Sequence, residues 1–121
     1  MSNKEIEKRY HQTFENIKQT GSDNSEFWMA RQLGKILDYA EYRNFLPVIE
    51  KAKKACANSG QPVENHFVEM HEMIEIGKGG KREMPSYALS RYACYLIVQN
   101  ADPSKPVIAN GQTYFAIQTR P

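Results

Sequence analysis

Two helical patterns of apolar residues, separated by only a few positions within residues 30–58, restrict the fold of this chain most. The first pattern places Ala30, Leu33, Ile36 and Leu37 on one helical face. The second runs from about Glu41 to Asn58 and turns Phe45, Leu46, Ile49 and Ala52 inward. Because so short a connection keeps consecutive helices in contact, residues 30–57 are predicted to form a packed pair: helix, short turn, helix.

The connection between these helices has residue types that suit a sharp turn. Asp38 is among the few residues other than glycine that tolerate a left-handed backbone, so the first helix should stop at Asp38-Tyr39. Gly34 would permit a close approach of the two helices. Pro47 is compatible with the second helix if it lies in or near the first turn, where its missing N–H is harmless. The stretch 58–62 contains Gly and Pro and should end that helix.

Small β-hairpins are predicted on either side of the helix pair. Turn-forming residues at 20–25 favour a hairpin over residues 15–29, after an amino-terminal helical stripe. Residues 63–76 fit either a helix or a strand, but the glycine-rich turn at 77–80 and the extended pattern of 81–89 favour a second hairpin. We therefore expect a helix-rich α+β domain with a helix-turn-helix-like pair and one or two small hairpins.

The carboxyl-terminal part is predicted to be helical and apolar. Ser90 is a good N-cap for a largely buried helix over Arg91 to Asn100. A last helix should begin near Pro103 to Pro106 and reach Pro121 without a C-cap. Its apolar residues are expected to form an exposed stripe: Tyr114, Phe115 and Ile117. Such a stripe indicates a fragment of a longer chain, whose missing region covers it, or a homodimer seam over residues 103–121.

Length and composition fit one domain and exclude several classes of protein. The chain has 121 residues, 40% hydrophobic and 25% charged, as a single globular domain of roughly 100–150 residues would. Its net charge of +2 indicates no polyanion partner unless the cations cluster locally. The polar residues 1–10 predict no signal peptide, and the longest apolar run, 92–98, is too short for a membrane span. We expect a cytoplasmic protein with no membrane contact.

The residue types used in catalysis and metal binding do not form a convincing site. His66 and His71 lie among glutamates but are five positions apart, which does not place them on one helical face as ligands. A surface or half-buried polar cluster is therefore favoured. Cys56 and Cys94 are predicted to be buried, reduced thiols. We expect no enzyme activity, no metal and no cofactor.

Basic and amide side chains in and after the helix pair are the candidate binding residues. In a helix-turn-helix the second helix enters the major groove, where Arg and Asn bind guanine and adenine edges. Residues 31–54 contain six basic and three acidic side chains, and the tip at 78–82 would act as a wing that approaches phosphates. The candidate DNA contacts are Arg31, Lys35, Arg43, Asn44, Lys51, Lys53, Lys54, Lys78, Lys81 and Arg82. The alternative is an ordinary helical hairpin and an ordinary turn, each with a solvated basic surface.

Several long strings of residues resemble the DNA-damage-inducible protein D (DinD) family of bacteria. The strings that match in order and spacing are 28–33, 49–60, 90–100, 102–109 and 112–120, within a similarity that covers residues 14–120. The first part of that family is in turn similar to the Bro-N domain of phage and baculovirus proteins. Two positions depart from the family pattern, Met29 where a serine cap is common and Asp38 where glycine is usual, and neither threatens the fold.

This resemblance implies a non-enzymatic module that acts on DNA during the bacterial response to DNA damage (the SOS response), with association with the nucleoid as an option. It implies no catalytic residues. The leading hypothesis is direct binding of single- or double-stranded DNA, or of a recombinase filament on DNA. The alternative is a protein-interaction domain that docks on a filament such as RecA without touching DNA. An acidic segment would serve there: Glu64, Glu69, Glu72 and Glu75.

Overall fold

The computed structural model describes residues 3–119, with side chains from residue 4 to residue 116, and it confirms a helix-rich α+β domain. In chain order its elements are α1 (Asn3–Ile17), β1 (Gln19–Thr20), β2 (Glu26–Met29), α2 (Ala30–Ile36), α3 (Tyr42–Asn58), α4 (Val63–His66), β3 (Phe67–Glu75), β4 (Lys81–Leu89), α5 (Arg91–Gln99) and α6 (Pro106–Thr119). The strands form one antiparallel sheet in the order β1-β2-β4-β3. The last strand in sequence therefore lies inside the sheet, and β3 is an outer strand.

The turn between α2 and α3 has the conformation that the sequence predicts. Asp38 adopts a left-handed φ of 70°. The N–H of Tyr39 donates to the Gly34 carbonyl at 2.9 Å, and the N–H of Asp38 donates to the Lys35 carbonyl at 3.1 Å. These two bonds satisfy carbonyls that the end of α2 would otherwise leave unpaired, as in a Schellman motif. The predicted lack of a side-chain cap at Met29 is also confirmed, because no side chain there bonds to the start of α2.

Pro47 lies deeper in α3 than we predicted. The helix begins at Tyr42, so Pro47 falls in its second turn rather than at the start. A proline there cannot donate to the carbonyl four residues earlier, at Arg43, and ordinarily disfavours a helix. The helix nevertheless continues to Asn58 because its opposite side is buried in the core at residues such as Phe45 and Ile49.

Both predicted hairpins are present. The first pairs β1 with β2, but α1 continues to Ile17, so the strand begins later than expected. The ambiguous stretch 63–76 divides into the short helix α4 and the nine-residue strand β3. β3 pairs with β4 from Phe67 opposite Leu89 to Glu75 opposite Lys81. The hairpin thus projects its connecting turn, residues 76–80, away from the core end of the sheet.

The core joins α1, β2 and α6 through aromatic side chains. Phe115 lies edge-on to Phe14 at 5.2 Å and to Trp28 at 5.3 Å between ring centroids. The indole N–H of Trp28 donates to the Phe14 carbonyl at 2.9 Å. The prediction of an exposed stripe on the last helix is therefore wrong for Tyr114 and Phe115, which are 4% and 0% exposed. Ile117, the third residue of that predicted stripe, lies outside the described side chains.

Candidate nucleic-acid interface

One side of α3 faces solvent along most of its length. Its inward side buries Phe45, Ile49, Ala52 and Cys56 in the core. The other side exposes polar residues at helical spacing, and we name four of them the α3 face: Arg43, Asn44, Lys51 and Lys54. These four predicted contacts share one exposed surface, directly after the Asp38 turn. The acidic residue Glu50 is exposed among them.

The close packing of α2 on α3 sets the position of the α3 face. A Cβ atom placed on Gly34 would lie 2.8 Å from a ring carbon of Phe45, closer than real Cβ contacts come. Only glycine therefore allows the observed separation, which confirms the predicted role of Gly34. At the start of α3, the Arg43 guanidinium lies 2.5 Å from the Glu41 carboxylate. Both side chains are largely exposed, and such pairs contribute only about 0–1 kcal/mol, so a phosphate could replace Glu41.

Lys53 lies off the α3 face. Its ammonium group hydrogen-bonds the Tyr87 hydroxyl at 3.2 Å and approaches Glu50 at 3.7 Å. Burial of Lys53 opposes its charge, but the Tyr87 bond and the neighbouring carboxylates together raise its pKa above the ordinary value. The structure thus turns this predicted contact toward β4, where it has protein partners.

Arg31 connects α2 with the β3–β4 hairpin. Its guanidinium lies over the Tyr42 ring at 4.0 Å and donates to the Pro85 carbonyl at 2.7 Å. Its Nε lies 4.0 Å from the Glu72 carboxylate, and both side chains are mostly buried. Arg31 is therefore placed to hold the hairpin beside α3. Lys35, one turn later on α2, is exposed.

The predicted wing is the tip of the β3–β4 hairpin. Lys78, Lys81 and Arg82 are all exposed there. Gly77 and Gly79 adopt left-handed φ angles of 86° and 79°, which suit glycine at a tight turn. These cations lie at the end of the hairpin away from Leu89, whereas the α3 face lies beside the hairpin stem.

The structure has a groove that the sequence did not predict. It lies between the first turns of α3 and the stem of the β3–β4 hairpin. It has a volume of ≈ 590 Å³. The α2–α3 side contributes Arg31, Tyr42, Arg43 and Leu46, and the hairpin contributes Glu69, Met70, His71, Met84, Pro85, Ser86 and Tyr87. No local pattern signals it, because its two walls are about forty positions apart in the chain. Arg43 is both a rim residue of this groove and a member of the α3 face.

Four buried polar groups at or near this groove have poor hydrogen-bond geometry. The Tyr42 hydroxyl, the Ser86 hydroxyl, Arg31 Nε and Glu72 Oε2 are buried and lack a well-formed hydrogen bond. Burial raises the pKa of Tyr42, while the charge of Arg31 and the nearby Ser86 hydroxyl lower it in part. Arg31 therefore faces Glu72, and the Tyr42 hydroxyl lies near that of Ser86, in looser geometry than a well-formed hydrogen bond.

The acidic segment proposed for protein docking is only partly available. Glu64, Glu69 and Glu75 are exposed, whereas Glu72 is half-buried beside Arg31. Within the described part of the chain, no group of three or more His, Cys, Asp or Glu side chains could hold a metal ion.

Both cysteines are buried free thiols, as predicted. Burial raises the pKa of Cys56 and raises that of Cys94 well above its ordinary value. A raised pKa keeps each thiol protonated and therefore poorly nucleophilic.

Comparison with known proteins shows the family to which this sequence belongs. Residues 5–116 match the model of the BRO family, N-terminal domain. The chain belongs to that family. It is also 59% identical over 111 residues to DNA damage-inducible protein D of Escherichia coli (strain K12), a similarity that includes 92% of this chain. The resemblances drawn from the sequence are thereby confirmed. No solved structure matches the chain.

The BRO-family domain spans 40% of the length of that relative. In the part of this chain that the structure describes, no helix is both long and apolar enough to cross a bilayer.

Proposed function

We propose that this domain is a non-catalytic DNA-binding module of the bacterial response to DNA damage. The α3 face would enter the major groove, and the hairpin tip with Lys78, Lys81 and Arg82 would contact phosphates. The printed name of the Escherichia coli relative supports the damage-response context. The domain would first bind DNA, and contact with a recombinase filament on that DNA and regulation of recombination would follow from this binding.

The observation on which the proposal depends is the composition of the α3 face. It combines Arg and Asn, the side chains that read guanine and adenine edges, with two lysines suited to phosphates. It also follows the short left-handed turn at Asp38, and Arg43 and Asn44 in the first turn of α3 are exposed. A net charge of +2 supplies little long-range attraction, and binding would therefore depend on these local cations.

A salt titration with charge-reversed variants tests the proposal. Lys51→Glu combined with Lys54→Glu should weaken binding of labelled DNA at least about tenfold, because two phosphate contacts become repulsive. The slope of log affinity against log salt concentration should fall by about 2 in magnitude. Fluorescence anisotropy with single- and double-stranded DNA measures both quantities.

Lys4→Glu combined with Lys8→Glu is the matched control. It makes the same change in net charge at exposed positions of α1, a helix that packs on α2 and α6, and should keep wild-type binding. Absence of salt-sensitive binding to either form of DNA would refute the proposal.

A protein-docking role is the second candidate, and the outer strand β3 favours it. Val68 and Met73 on this strand are 46% and 63% exposed, and its outer edge is free to pair among the described residues. A domain that docks on a recombinase filament through β3 would keep filament binding in the Lys51/Lys54 double variant. Direct DNA binding through the α3 face would not.

A further inference from the structure

We propose that the groove between α3 and the β3–β4 hairpin receives the base of an unpaired nucleotide. The inference rests on the proposed DNA binding and adds to it a site for an unpaired base beside the α3 face. The groove volume of ≈ 590 Å³ lies within the range of about 300–1,000 Å³ typical of small-ligand sites. Enzymes and binding proteins that take up single bases use pockets lined by aromatic and apolar side chains.

The lining of the groove fits a flat heteroaromatic ring. Tyr42 and Tyr87 supply aromatic surface, and Leu46, Met70 and Met84 supply apolar surface. Every base has a π-face that stacks on such rings whatever its sequence, and thioethers are polarizable and adapt to the shape of a guest. The aromatic and thioether groups come from both α3 and the hairpin, so a ring in the groove would touch both walls.

Two hydroxyl groups lie in the floor of the groove. Ser86 is 3% exposed and lines the groove, and its hydroxyl lies near that of Tyr42. In the hairpin register Met70 stands opposite Ser86, and Met84 lies two residues away on the same side of β4. Movement of these flexible side chains would open the hydroxyls of Ser86 and Tyr42 to a ligand. Because hydroxyls donate and accept, they suit the mixed donors and acceptors of a base edge.

The rim of the groove connects it to the proposed DNA surface. Arg43 lines the groove and is exposed, so it can bind the phosphate of a nucleotide whose base lies inside. A base that remains paired within a duplex cannot reach a side groove of this kind. The rim carries Arg43 from α3 and the exposed Glu69 from the hairpin, and Arg43 adjoins the basic α3 face, so an apolar peptide fits the groove less well.

Two single strands of equal length and charge test this inference, one with bases and one abasic throughout. The wild-type domain should bind the strand with bases about tenfold more tightly, because stacking of a base is lost in the other. Leu46→Trp, which fills the groove, should bind both strands with the weaker affinity. Ser86→Ala, a smaller change expected to fold normally, should lose about fivefold for the strand with bases only.

Thymidine, which has no phosphate, separates this inference from the proposed function. Added alone, it should shift the backbone NMR signals of residues 84–87 in the wild-type domain and not in Leu46→Trp. If neither strand binds but thymidine shifts these signals, the DNA-binding proposal fails and the base site stands. If both strands bind equally and thymidine causes no shift, the base site is refuted. It is also refuted if an apolar dipeptide shifts those signals and thymidine does not.

Discussion

Gly34 controls the separation of α2 and α3 because it has no Cβ. The space that a side chain would need is filled by the Phe45 ring, at 2.8 Å from an added Cβ. Phe45 is fully buried and packs against Tyr39 at 4.9 Å, so it has little freedom to retreat. The packing at this single position therefore sets how closely α3, and with it the α3 face, lies against α2.

Replacement of this glycine should therefore destabilise the fold. We expect Gly34→Ala to lower the free energy of unfolding by about 1–3 kcal/mol, as overpacking of a core usually does. Gly80→Ala is the matched control, since an added Cβ there meets nothing closer than 3.5 Å, and it should change stability by less than about 0.5 kcal/mol. Urea denaturation measures both, and equal stabilities would contradict the assigned role.

At the scale of secondary-structure elements, the N-cap residue of α5 is in contact with a histidine of α4. The Ser90 hydroxyl oxygen accepts from the Ala93 N–H at 3.0 Å, which confirms the predicted N-cap. The same oxygen lies 2.7 Å from Nδ1 of His66. A hydroxyl oxygen has two lone pairs, so that of Ser90 can accept from the Ala93 N–H and also accept from a protonated Nδ1, or its proton can be donated to a bare Nδ1; the tautomer of His66 decides which.

Burial of His66 beside this cap should make stability depend on pH. Burial lowers the pKa of His66, so the fold favours the neutral ring. That contribution is complete above the unfolded pKa of about 6.5 and is lost as the pH falls through the lowered folded value. We expect the free energy of unfolding to decrease from pH 7 to pH 5, and His66→Gln to remove this part of the decrease. His71→Gln alters an exposed histidine and should keep the decrease; identical pH profiles for the two variants would refute this contribution of His66.

Elements defined by local chemistry were predictable, whereas features made by distant residues were not. The Asp38 turn, the Ser90 cap and the strand over 81–89 follow from residue types within a few positions, and all three are present. The helix at Pro47 follows from burial of the opposite side of α3, which overrides the local preference. The groove at Ser86 required contacts across about forty positions, which periodicity does not report.

At the scale of the whole molecule, α6 completes the core rather than offering a surface. The sequence shows an apolar helix whose partners are not evident. In the structure, α6 packs on α5, which precedes it in the chain, and on α1, about a hundred positions earlier. Tyr114 stacks on Phe14 at 5.3 Å, and its hydroxyl donates to the carboxylate of Glu15. Arg91 from α5 lies over both Trp28 and Tyr114 and pairs with Glu26, so one polar network joins four elements around the aromatic core.

Truncation of Phe115 separates a core role from a dimer seam. We expect Phe115→Ala to lower the free energy of unfolding by about 3–5 kcal/mol, since a fully buried ring between Phe14 and Trp28 leaves a cavity. Ile76→Ala, at a position 56% exposed, should change it by less than about 0.5 kcal/mol. Urea denaturation at several protein concentrations, with sedimentation of each variant, distinguishes the two roles. A seam would instead give Phe115→Ala a lower association state and nearly normal stability at low protein concentration, because a ring buried only between chains stabilises the fold only when the chains associate.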